Sequence, residues 1–143
     1  MRYYPVFLDL KDKPVLVAGA GKVALRKAKG LVEAGARVTV VAPRWEPEFE
    51  HLPVRLVKRT VEFSDLEGAY LAFTATDDRA ANHAIAGEAK RRGIPVNVAD
   101  APPECDFLVP SRIERGDVQI AVSTGGRSPR LAVEVRRKIE EML

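Results

Sequence analysis

Cysteine is almost absent from this chain. Cys105 is the only one, so no internal disulfide can form and no cysteine-based zinc site can be assembled, which suits a reducing cytoplasm. Histidine is nearly as scarce: His51 and His83 have no partner at metal-ligand spacing, and no metal site is expected. Long apolar runs are missing too. None approaches the ~18 residues of a membrane span. The stretch Met1 to Leu10 lacks the basic and apolar regions of a signal peptide, so a soluble, unexported protein with no membrane partner is expected. Nor does one sign of charge dominate. With 23 Lys+Arg against 20 Asp+Glu the net charge is +3, too small for a nucleic-acid footprint but favourable to an anionic ligand. Two enzyme signatures are absent as well. There is no G-x-S-x-G elbow, and Tyr70 is followed four positions on by Thr74 where a Tyr-x-x-x-Lys pair would need lysine.

What is present is enough apolar residue to close one core: 46% of 143 residues. Short β-rich runs alternate with helical stretches, the pattern of a parallel sheet covered by helices. Pro14 to Ala18 reads as a buried strand and Gly19 to Gly21 as a tight turn. Lys22 to Ala34 reads as a helix with Ala24, Ala28, Leu31 and Val32 on one face and Gly35 as its stop. Arg37 to Val41 is a second, β-branched strand. Further strands are predicted over Val54 to Lys58, Ala69 to Ala75 and Ile94 to Val98, with a helix over Arg79 to Arg92 capped by Asp77 or Asp78. After Ala101-Pro102-Pro103-Glu104 the character changes. A hairpin turning at Gly116-Asp117 is followed by a helix with Ser128 as N-cap, Pro129 at its first position, and a stripe of Ala132, Val135, Ile139 and Met142. The expected fold is therefore α/β: a Rossmann-type parallel sheet over residues 1–106, then a C-terminal β-hairpin plus helix over 107–143 acting as a dimerisation and substrate-contacting arm, the alternative being a self-packed C-terminal subdomain.

The chemistry starts at Gly19-Ala20-Gly21-Lys22-Val23-Ala24, a G-x-G-x-x-A fingerprint between a strand and a helix. The first glycine permits the turn, the second lets backbone approach a pyrophosphate, and Ala24 allows close helix packing. Free amides at the helix N-terminus then bind phosphate. The usual ribose-binding acid is missing, because the second strand runs out in Val40-Val41-Ala42-Pro43-Arg44. Arg44 could pair with the extra phosphate of NADP or stand solvated in a loop, and backbone near Ala42 or Pro43 would serve NAD. Thr76 and Asp77 follow the fourth strand at the same edge. Asn97 and Asp100 come at the end of the fifth, where open α/β sheets bind ligands; a carboxylate there could take a proton, or could simply cap a turn as Asp and Asn do at such points. Ser123, Thr124, Gly125, Gly126, Arg127 and Ser128 form a donor-rich loop suited to a carboxylate ligand. Lys22, Arg26, Lys27 and Lys29 read as the wet face of the first helix.

Tyr4 to Leu10 followed by Pro14 to Ala24 resembles the opening of the sirohaem synthase N-terminal domain family, the precorrin-2 dehydrogenases that sometimes also act as sirohydrochlorin ferrochelatases. Val38 to Pro43, Ala75 to Asp78 with Asn82, Asn97 to Asp100, Phe107 to Ser111, Ala121 to Gly126 and Ser128-Pro129 agree in order along nearly the whole chain. The resemblance implies NAD-dependent oxidation of precorrin-2, an acidic tetrapyrrole, to sirohydrochlorin. It implies Asp100 as the catalytic aspartate and Gly19, Gly21, Lys22 and Val23 as the cofactor turn. It implies a homodimer through Phe107 to Leu143 and tetrapyrrole carboxylates met by Arg112, Arg115, Arg127 and Arg130. Many members continue into a further helical segment, so weak or no ferrochelatase activity is expected of a chain ending at Leu143. The alternative, from another functional class, is a non-catalytic NAD-sensing Rossmann module.

Overall fold

The computed structural model describes residues 2–143. Five strands form one parallel sheet: β1 (Pro14–Ala18), β2 (Arg37–Val41), β3 (Arg55–Val57), β4 (Leu71–Thr74) and β5 (Val96–Val98), in the order β3-β2-β1-β4-β5. Helix α1 (Lys22–Glu33) links β1 to β2, and α2 (Arg79–Arg91) links β4 to β5. These two crossovers run in opposite directions from the centre of the sheet, so their right-handedness places the helices on opposite faces. The central strands are covered on both sides, which is why β1 and β4 are buried almost end to end; β2 opens on the exposed Arg37 and half-buried Thr39 and is fully buried only at Val38, Val40 and Val41. Val17, Ala18, Val40, Ala72 and Val96 are fully enclosed, and α1 seats Ala24, Ala28 and Leu31 against them.

β5 is shorter than its sequence predicts. The Ile94 N–H is spent closing α2 on the Ala89 carbonyl (2.8 Å), and Pro95 has no N–H to give, so pairing starts only at Val96. Its outer edge is closed by side chains. Asp106 Oδ2 accepts from Val96 N–H (3.0 Å), and Cys105 Sγ accepts from Val98 N–H (3.1 Å) and donates to the Val98 carbonyl (3.3 Å). An edge strand with its backbone groups occupied in this way is poorly placed to pair with another chain.

The chain divides into two compact units, Val6–Asp106 and a second formed by Phe107–Leu143 with the residues up to Pro5. In the second, β6 (Ser111–Arg115) and β7 (Val118–Val122) pair antiparallel across Gly116-Asp117, and α3 (Pro129–Met142) packs on them. Ser128 caps α3 by accepting from Leu131 N–H (3.1 Å). Only Ile113 and Ala132 are fully buried among the apolar residues of this hairpin and helix, while Val118, Leu131, Val135 and Met142 stay exposed. No helix among the described residues is long and apolar enough to cross a membrane.

Candidate functional site

The strand order reverses between β1 and β4, and at the carboxyl ends of these strands lies an open cleft of about 510 Å³. Gly19, Gly21, Ala42, Pro43, Arg44, Thr76 and Asp77 all line it; Lys22 and Val23 stand on the first turn of α1 and are not among its walls.

Gly19 has φ +108°, and a Cβ there would lie 2.4 Å from the Ala75 carbonyl oxygen. No other residue fits between β1 and the backbone leaving β4. Gly21 is different. A Cβ there would meet nothing within 4 Å, so what its missing side chain leaves is open space in the cleft wall. Gly21 is also the N-cap of α1, with no side-chain cap and no acidic residue in the first turn. The positive end of this helix and its unpaired amides are therefore left to an anion. The start of α2 is already satisfied, because Asp78 accepts from Ala80 and Ala81 N–H (2.9 and 3.2 Å). A dinucleotide pyrophosphate fits the first helix end and not the second.

Thr76 is held in place by Asn82. The Asn82 Oδ1 accepts from Thr76 Oγ1 (2.6 Å) and Thr76 N–H (3.1 Å), while its Nδ2 donates to the Thr76 carbonyl (3.1 Å). Asn82 is buried on the inward face of α2 with Ile85, Ala86 and Ala89. A polar residue at an apolar position of that helical period was the available signal for it. On the other side of the cleft Trp45 and Glu46 join the walls, with Lys58 Nζ 5.9 Å from the Trp45 ring centre. Glu46 N–H donates to the Ala20 carbonyl (2.9 Å), tying the loop after β2 to the glycine turn. An acid therefore does line the cleft, although none stands at the end of β2 itself.

Asp100 occupies the turn after β5. It is exposed and adopts the left-handed conformation with φ 58°, which aspartate tolerates better than most residues. The turn is pinned on both sides by Ala99 N–H to the Thr74 carbonyl (2.9 Å) and Ala101 N–H to the Val98 carbonyl (3.2 Å). Asn97, on β5 itself, is buried. The basic face expected for α1 needs one correction. Lys27 is half-buried, with its Nζ 5.8 Å from the centre of the Phe73 ring on β4. Burial holds its ammonium below the ordinary lysine value of 10.5 and Arg26 adds to the fall, while Cys105 and Asp100 oppose it.

In the second unit the loop from Ser123 to Ser128 is ordered by its own hydroxyls. Thr124 Oγ1 accepts from Ser128 N–H (2.9 Å) and donates to the Ser128 carbonyl (3.0 Å), and Ser123 Oγ accepts from Gly125 N–H (3.1 Å). Gly125 and Gly126 both have positive φ, and Arg127 projects into solvent. Of the four arginines expected to meet substrate, Arg130 is paired with Glu134 (3.2 Å) and Arg115 with Glu140 (3.7 Å); Arg112 and Arg127 are the exposed cations without an ion pair among the described residues.

This fold and cleft define a Rossmann-type dinucleotide-binding protein. The family model described as "Putative NAD(P)-binding" matches residues 6–111, and that described as "Sirohaem biosynthesis protein central" matches 115–142. The siroheme synthase of Methylococcus capsulatus is 49% identical over 144 residues, which cover 98% of this chain and 30% of that protein. The siroheme synthase of Methylobacillus flagellatus is 43% identical over 147 residues, covering 100% and 32%. The solved structure of "SirC, precorrin-2 dehydrogenase" superposes with a TM-score of 0.83 at 32% identity, over 99% of this chain and 71% of that one. The chain belongs to this NAD(P)-binding family and, within it, to the sirohaem synthase N-terminal domain family; it spans 30–32% of the length of these two siroheme synthases.

Proposed function

We propose that this chain oxidises precorrin-2 to sirohydrochlorin with NAD as the hydride acceptor. The observation that carries the reading is the likeness to a precorrin-2 dehydrogenase over 99% of the chain, which takes in the glycine cleft and the Asp100 turn together. Gly19, Gly21 and the amides opening α1 hold the pyrophosphate, with Lys22 and Val23 on the same helical turn. Ala42, Pro43 and Arg44 border the adenosine side, and Thr76 and Asp77 border the other. Bound NAD supplies a two-electron acceptor for hydride.

The protein's own part is to hold the macrocycle and take its proton. Asp100 is the acceptor: an exposed carboxylate on a turn fixed by hydrogen bonds to β4 and β5 can reach a ligand without rearranging the core. Asn97 on β5 and the loop of Ser123, Thr124, Gly125, Gly126, Arg127 and Ser128 bind the substrate, with Arg112 and Arg127 meeting its carboxylates. A second copy of the chain covers the exposed apolar residues of α3 and the hairpin, giving a homodimer. The lone buried thiol of Cys105 and a nicotinamide reaction suit the cytoplasm. Anaerobic incubation with precorrin-2 and NAD, followed by absorbance, tests the reading. Equimolar sirohydrochlorin and NADH are expected; NAD binding without turnover would instead make the chain a sensing module.

A further inference from the structure

A Rossmann cleft that takes NAD ordinarily carries a carboxylate at the end of the second strand, where it accepts from the ribose hydroxyls and meets the extra phosphate of NADP with a like charge. Here that place holds Ala42 and Pro43. Neither side chain can read a ribose.

The loop beyond them brings an acid back. β2 ends at Val41, the chain turns through Pro43 and Arg44, and Glu46 returns to donate its N–H to the carbonyl of Ala20, between the two glycines of the turn (2.9 Å). The Glu46 carbonyl accepts from the N–H of Phe49 (3.0 Å), whose side chain is fully buried in the short helical turn Pro47–His51. Its backbone is therefore held on both sides. Glu46 is half-buried in the cleft wall, and no hydrogen bond or ion pair to a described residue occupies its carboxylate. The neighbouring acids are committed or misplaced: Glu48 is paired with Lys29, Asp78 caps α2, and Asp77 stands past β4, across β1 from the β2 edge.

Two cations stand on the same side of the cleft and would favour the opposite choice. Lys58 lies toward the Trp45 ring, and Arg44 lines the cleft but is exposed. A fixed, half-buried charge is screened less than an exposed one. Glu46 should prevail.

We propose that Glu46 takes the part of the missing strand-end acid: its carboxylate accepts from the adenosine ribose hydroxyls and sets the choice of NAD over NADP by repelling the extra phosphate. This rests on the reading of the glycine cleft as the cofactor site.

Calorimetric titration of the whole chain with NAD and NADP tests it without any turnover. The wild type should bind NAD about tenfold or more tightly than NADP. Glu46→Gln keeps the side-chain shape and the backbone bond to Ala20, and should bring the two within about threefold, chiefly through tighter NADP binding. Arg44→Ala should leave the preference for NAD in place. ADP-ribose and its 2′-phosphate, which lack nicotinamide, should show the same preference as the full cofactors and so place it at the adenosine end. Added salt should narrow the wild-type gap, because repulsion between charges is screened. That series needs no variant, and a gap that salt leaves unchanged or widens would overturn the proposal even if Glu46→Gln folds poorly. Equal affinity of the wild type for NAD and NADP, or an unchanged gap in Glu46→Gln, would overturn it as well. Should precorrin-2 still be oxidised in that case, the proposed function stands without Glu46. If none of these nucleotides binds, the cofactor cleft itself falls, and this inference with it.

Discussion

The two units of this chain meet the problem of burial differently. Val6–Asp106 encloses its sheet between two helices and leaves β1, β4 and the carboxyl end of β2 almost without solvent contact. The hairpin and α3 bury only Ile113 and Ala132 fully and leave Leu131 48% and Val118 53% exposed. The first unit closes its own core. The second presents an apolar surface, which is what a self-complementary dimer interface requires.

The sharpest way to break the first unit is at the glycine turn. Gly19→Ala drives a Cβ into the Ala75 carbonyl at a backbone angle that side chains avoid, and should cost roughly 2–6 kcal/mol, read as a large fall in melting temperature. Gly21→Val should leave the fold standing, since its Cβ meets nothing, yet weaken NAD binding by about tenfold or more in calorimetry. A folded Gly21→Val with unchanged affinity would remove the cleft from cofactor binding.

The second unit is tested on α3. Leu131→Asp removes an exposed leucine whose burial in an interface is worth about 1.5–3 kcal/mol. Light scattering should show the wild type as a dimer and the variant as a folded monomer. Val122 and Ile120 are poorer choices, because they are half-buried on the strand that packs against α3 within the same unit.

A smaller effect is expected at Asp65. Arg59 grips this carboxylate with two hydrogen bonds (2.6 and 2.7 Å) and holds it below the ordinary value of 3.8; burial opposes the shift and the Glu62 N–H assists it. A lowered folded-state value adds stability above the unfolded one and loses it as pH falls through the lowered value. Asp65→Asn should cost about 1 kcal/mol at neutral pH and flatten the stability profile below pH 3.8.

Most of the framework was legible in the sequence because the sheet's strands are short runs rich in apolar and β-branched residues set between helical stretches, and Gly116-Asp117 is a strong hairpin signal. β5 came out shorter because Ile94 was needed to close α2. The cleft was legible where a turn needs glycine, as at Gly19 and Gly21, and so was the place of Asp100 in the turn after β5. It was not legible where long-range packing decides. The period of α2 puts Asn82 on the inward face, but that it grips Thr76 shows only once helix and strand end are packed together. Glu46 lies five residues past β2 and reaches the cleft only through its bond to Ala20. Lys27 sits among lysines and arginines, and nothing local separates it from them.

The central claim is a division of labour: the glycine cleft binds NAD, and the Asp100 turn takes the proton. Binding and turnover measured side by side on Asp100→Asn test it most directly. NAD affinity should be unchanged while the anaerobic oxidation of precorrin-2 slows by ~10² to 10⁴. A variant that oxidises precorrin-2 at the wild-type rate, or one that loses NAD binding along with activity, would contradict the account.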